Sequence, residues 1–186
     1  INLGPGVNTS VTTGQLTVEV SYSALSVADI DISVFVLDAN GKVRGDQDMC
    51  FYGQKSINGG SVQMTDTSSG RAVFMLDLSR LEPVVEKIAL TATLYENKAS
   101  FDSVSHLSLS VTGGVDVVIP TTGMKETALV LGEFYRRQGD WKFRCVAQGF
   151  AGGLEPLAKH FGVEIAAPTP TSVAEIGRAS CRERVS

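Results

Sequence analysis

Between Gln15 and Phe150 the chain is divided into short runs of alternating apolar and polar residues, closed at fairly even intervals by glycine, asparagine and aspartate. Successive side chains of an extended strand point to opposite faces, so each run can bury one face and wet the other, the pattern of antiparallel sheets packed face to face. Residues 15–22 set Leu16, Val18 and Val20 on one side. Residues 31–37 set Ile32, Val34 and Val36 opposite Ser33, Phe35 and Leu37, and being apolar on both sides they predict a strand central in its sheet. Asn40-Gly41 tolerates positive φ and predicts a hairpin turn, after which residues 48–53 form the next strand. Further strands are expected at 62–65, 72–78, 88–95, 104–112 and 115–119, with a helical turn over 78–87 around Pro83. Residues 127–136 and 142–147 make a last hairpin across Gly139-Asp140, and 152–161 carry the Leu154, Leu157, Ala158, Phe161 spacing of one short helix, ended by Gly162. The expected fold is mainly β: an antiparallel two-sheet β-sandwich with short flanking helices.

With 186 residues and 43% hydrophobic side chains, the chain can bury one substantial core without cross-links. One domain is expected over residues 1–167, followed by a Pro/Thr linker at 168–174. Residues 175–186 read as a non-native tail, because Glu175 to Val185 match the in-frame translation of a sequencing adapter. Without Glu175, Glu183, Arg178, Arg182 and Arg184 the acids fall from 20 to 18, the bases from 16 to 13, and the net charge from -4 to -5. An acidic domain lacking a lysine or arginine run is not built for phosphate backbones, so nucleic acid and direct membrane binding are disfavoured. Setting Cys181 aside leaves Cys50 and Cys145, too few for a disulfide framework, which fits a reducing, cytoplasmic setting. No stretch has the length of a membrane helix, and Ile1 to Gly6 lack the charged and apolar regions of a signal peptide.

Two acidic pairs stand out: Asp29-Ile30-Asp31 at one strand start and Asp46-Gln47-Asp48 at the next. Residues i and i+2 of an extended segment share a face, and if the two strands are neighbours four carboxylates converge on one rim. Like charges this close repel by roughly 1 kcal/mol or more each, which a calcium ion taking about six to eight oxygens would reverse. Asp66 is a fifth candidate ligand. The same spacing equally describes solvated acids at strand ends. Signs of catalysis are sparse. His106 and His160 have no neighbouring nucleophile or acid in a recognisable arrangement, and the glycine clusters lack phosphate-loop spacing. Cys50 and Cys145 sit inside apolar strands, where thiols are packed and inert, and Trp141 with Phe134, Tyr135 and Phe143 reads as core.

Taken in order, Asp29-Ile30-Asp31-Ile32-Ser33, Gly41-Lys42-Val43-Arg44, Asp46-Gln47-Asp48-Met49-Cys50-Phe51-Tyr52, Gly132-Glu133-Phe134-Tyr135-Arg136 and Trp141 to Phe150 resemble the TerD-domain family of tellurium-resistance and stress proteins, over about residues 3–165. The chain looks closest in kind to the TerA-like or TerF-like branch. The resemblance implies a β-sandwich, Ca2+ at strand-end loops, no established catalysis, and a cytoplasmic scaffold that joins other TerD-domain or membrane-associated resistance proteins. It carries Asp29, Asp31, Asp46 and Asp48 over as calcium ligands, with Asp66 added from the residues. Val27 stands in place of a first aspartate, Gly53 in place of an asparagine, and Ser69-Gly70-Arg71 in place of an acidic stretch. Fewer oxygen ligands and a nearby cation imply one weak site at most. The alternative is an interaction domain that has lost the metal altogether.

Overall fold

The computed structural model describes residues 2–12, 14–25, 28–95 and 99–163. The expected domain end at 167, the linker, the tail and Val27 lie outside the described residues. The strands are β1 (Asn2–Leu3), β2 (Asn8–Ser10), β3 (Gln15–Tyr22), β4 (Ile30–Leu37), β5 (Met49–Cys50), β6 (Ser56–Ile57), β7 (Val62–Ser68), β8 (Arg71–Asp77), β9 (Lys87–Leu94), β10 (Leu107–Val111), β11 (Val115–Val118), β12 (Ala128–Arg137) and β13 (Asp140–Phe150), followed by helix α1 (Leu154–His160). Among the described residues they form a seven-stranded sheet, β1-β11-β10-β3-β8-β7-β6, and a six-stranded sheet, β2-β13-β12-β9-β4-β5. All pairings are antiparallel except β1 on β11. The expected β-sandwich is the fold.

Alternation explains the packing. Leu16, Val18 and Val20 of β3 and Phe74 and Leu76 of β8 meet Val34 and Val36 of β4, Leu90 of β9, and Trp141 and Phe143 of β13 in one core, all nearly inaccessible. Strand β4 is apolar on both faces because the sheet is covered twice: Phe35, Leu37, Ala89 and Val130 turn outward beneath Leu157, Ala158 and Phe161 of the α1 segment. The helix is short, and this stripe is what it buries.

Several local expectations give way to tertiary constraints. The Asn40-Gly41 turn forms, with Gly41 N–H donating to the Asp38 carbonyl (3.0 Å) and Gly41 at φ 76, but it does not join a continuous hairpin. Val43 N–H leaves the sheet to donate to the Phe161 carbonyl (2.8 Å), and pairing with β4 resumes only at Met49 and Cys50. Residues 46–48, expected to open a strand, coil into a 3-10 turn, and His106 lies just ahead of β10, exposed. The last hairpin turns on Gln138 and Gly139, both at positive φ. Tyr135 is not core: it lies on the outer face, under the Arg144 guanidinium at 4.8 Å.

The register of β12 shifts between Val130 and Gly132, so a bulge sits against the paired strands β9 and β13. A Cβ on Gly132 would stand 2.6 Å from Phe143 Cζ and 2.9 Å from the Arg144 carbonyl oxygen. Gly132→Ala is therefore expected to lower the stability by about 1–3 kcal/mol, read as a lower urea midpoint at unchanged slope.

Candidate functional site

The four aspartates do not converge, which corrects the expectation drawn from their spacing. Val34 pairs with Cys50 and Phe35 with Met49 in antiparallel register, so the start of one strand lies beside the end of the other. Asp29 and Asp31 stand at the beginning of β4, whereas Asp46 and Asp48 precede β5 and lie beyond the level of Val36. Five residues of strand separate the two pairs, roughly 16 Å. The 3-10 turn further removes the shared face that an extended Asp46-Gln47-Asp48 would have. Among the described residues no three histidine, cysteine, aspartate or glutamate side chains gather closely enough to hold an ion. The predicted five-carboxylate set does not fit calcium, which needs its oxygens within one shell.

What the Asp46–Asp48 loop builds instead is a clasp around Arg44. The Asp48 side chain is 1% exposed. Its Oδ2 accepts from the Arg44 backbone N–H and Nε, and its Oδ1 accepts from Arg44 Nη2, each at 2.9 Å. Arg44 Nη2 also donates to Asn58 Oδ1 at 2.8 Å, and Nη1 donates to Glu82. The guanidinium thus ties the loop after β4 to the turn before β7 and to the segment after β8, linking the two sheets. These bonds hold Arg44 even more firmly protonated than usual, with the Asp48 hydrogen bond the largest cause. Gln54 Nε2 completes the loop by donating to the carbonyls of Asp46 and Met49 at 2.8 Å. Sequence reading missed Arg44, Asn58 and Glu82 as a unit. The signal available was the four-residue spacing from Arg44 to Asp48.

Asp66 is likewise engaged by a cation. It pairs with Arg71, whose Nε donates to Glu19 Oε2 at 2.6 Å, giving a surface chain across β7, β8 and β3. Only Asp29 and Asp31 act on each other. Burial pushes the Asp31 carboxyl up to about 6, with the charge of Asp29 adding to the rise. The Tyr22 hydroxyl lies 3.4 Å from the Ile30 carbonyl and 3.5 Å from that of Ser68, and burial, opposed by a backbone hydrogen bond at Gly70, raises its pKa with help from Asp31 and Asp29.

Nucleophile chemistry finds no footing at the thiols. Cys50 and Cys145 are fully buried in the core, and burial pushes the Cys50 thiol up to about 12 and raises Cys145 as well. A thiolate is the reactive form, so both are held in the inert one at neutral pH. His106 is exposed and shares a 3.1 Å hydrogen bond with Ser108; His160 is exposed, tilted against the Phe150 ring and edge-on to Phe161. Among the described residues no helix is long and apolar enough to cross a membrane.

Comparison with known proteins gives a coherent result. The TerD domain model matches residues 1–161. The chain is 43% identical over 129 residues to the tellurium resistance protein TerA of an Alcaligenes species, covering 67% of this chain but only 38% of that protein, so it spans about two fifths of the relative's length. It is 34% identical over 150 residues to the tellurium resistance protein TerD of Serratia marcescens, covering 73% of this chain and 78% of that one. A crystal structure described as a homologue of telluride resistance protein (TerD) from Streptomyces coelicolor A3(2) superposes with a TM-score of 0.63 over 81% of this chain and 96% of the other, at 18% identity, a likeness of fold.

Two outcomes follow from the charges. Arg44→Met leaves a buried, unpaired carboxylate and is expected to cost about 3–5 kcal/mol, whereas Arg44→Met with Asp48→Leu recovers most of that loss, compared by urea midpoints. For Asp31 the folded carboxyl holds its proton more tightly than the unfolded one, so its contribution to stability is present below pH ~4 and lost as pH rises toward 6. Asp31→Asn removes that loss. It is expected to melt higher than the parent at pH 7.5, by on the order of 2 kcal/mol, with the gap closing at pH 4.

Proposed function

The chain belongs to the TerD-domain family, and from that footing we propose that it is a non-catalytic interaction module of tellurite resistance, whose loops are held by arginine where a bound ion was expected. The observation that carries this reading is Asp48, buried and fully engaged by Arg44. A guanidinium in that place already neutralises the carboxylate, and with the Arg44 backbone N–H it fills three of the carboxylate's about four lone-pair sites, so a divalent ion has little to gain there. Arg71 pairs with Asp66 at the surface. The packed thiols support a role in binding over one in chemistry. Its partners, on this reading, are other TerD-domain proteins or membrane-associated resistance proteins in the cytoplasm.

A second reading keeps a weak Ca2+ contact at Asp29 and Asp31 alone, and one observation favours it. Asp31 is partly buried beside an exposed Asp29, and among the described residues no ion pair reaches either, so a positive guest would relieve both the desolvation of Asp31 and the mutual repulsion.

Thermal unfolding in chelator and in calcium separates the two. A site with Kd near 10 µM would add about 2.7 kcal/mol at 1 mM calcium, a shift of several degrees. The arginine-held module is expected to melt within about 1 °C in both conditions, far less than that shift. A calcium-dependent rise of several degrees that Asp31→Asn abolishes would overturn it in favour of the ion.

A further inference from the structure

The outer face of the seven-stranded sheet is polar, and one end of it is hollowed into a depression of about 280 Å³ lined chiefly by Gln15, Gln63, Thr65, Met75, Asp77 and Arg80. Register explains the gathering. Gln15 pairs with Asp77 across β3 and β8, Thr17 and Gln63 flank Met75, and alternation turns this set away from the core that Leu16, Val62 and Leu76 fill. The 3-10 turn at Leu78–Arg80 then brings Arg80 to the rim.

The hollow holds one acid and one base that do not neutralise each other. Among the described residues no ion pair joins Asp77 to Arg80, and each is fixed by a different neighbour. Asp77 Oδ1 accepts from Ser79 Oγ (2.6 Å) and N–H (3.3 Å), which leaves Oδ2 for a ligand. Arg80 Nη2 donates to the Gly59 carbonyl at 2.7 Å, which positions the guanidinium and leaves Nε and Nη1. Gln63 Nε2 donates to the Gly60 carbonyl at 2.9 Å, so its Oε1 also remains.

We propose that this depression binds a small zwitterion of the α-amino-acid type, with the ligand carboxylate on Arg80, its ammonium on Asp77 and its remaining atoms against Met75 and the two glutamines. A lone anion would meet the Asp77 carboxylate and a lone cation would meet Arg80, so only a ligand carrying both charges satisfies both groups. The volume lies below the roughly 300–1,000 Å³ of drug-sized sites, which restricts the ligand to metabolite size. The site shares no lining side chain with the Arg44 clasp and stands whether or not the interaction-module reading holds.

Amide chemical shifts of the full chain, followed during titration, test it with three probes: L-alanine, propionate, which lacks the ammonium, and ethylammonium, which lacks the carboxylate. Alanine is expected to move Gln63, Thr65, Met75 and Asp77 saturably in the millimolar range, with each half-ligand about tenfold weaker. Arg80→Gln and Asp77→Asn, the latter keeping the Ser79 cap, should each weaken alanine by about tenfold or more while amides elsewhere stay in place. Shifts that grow linearly without saturating, propionate or ethylammonium binding as tightly as alanine, or either variant binding as the parent does, would overturn the assignment.

Discussion

Removing a carboxylate from water costs several kcal/mol unless a cation and enough donors go in with it, and Asp48 meets that condition through Arg44. The geometry is bidentate, with a third bond from the Arg44 backbone, so the pair is fixed in position as well as in charge. Much follows from it. The chain between β4 and β5 has few ladder bonds of its own, and the guanidinium anchors it to Asn58, in the turn before β7 of the opposite sheet, and to Glu82, on the connection from β8 to β9.

The same physics sorts the remaining acids. Asp66 has Arg71 at hand and is half-exposed, so its pairing is a surface contact of small worth. Asp31 has burial and the charge of Asp29 acting on it, and its carboxyl rises accordingly. Three aspartates of similar sequence context therefore behave differently, according to what the opposite strand or the next loop supplies. Asp77 adds another case, an acid kept apart from Arg80 by separate tethers.

The two outer faces of the sandwich also differ for a physical reason. Phe35, Leu37 and Val130 are apolar on the outside of β4 and β12, and the α1 segment exists to cover them. The outside of β3, β7 and β8 carries Gln, Thr, Glu and Arg, needs no cover, and is left open with the hollow at its end.

Alternation at Leu16, Val18 and Val20, the doubly apolar run from Ile32 to Leu37, and the Leu154, Leu157, Ala158, Phe161 stripe were enough to specify a two-sheet sandwich with a covering helix, because side-chain period is a local property that burial then enforces. The inertness of Cys50 and Cys145 was legible for the same reason. Whether Asp29, Asp31, Asp46 and Asp48 met was not local. It depended on antiparallel pairing of β4 with β5, which sends two strand starts to opposite ends, and on a 3-10 turn at Asp46–Asp48 in a loop where Val43 has left the sheet for Phe161. Sequence alone determined which faces are buried; only the tertiary structure decided which charges are neighbours, since electrostatic partners are fixed by distance in space and not by spacing along the chain.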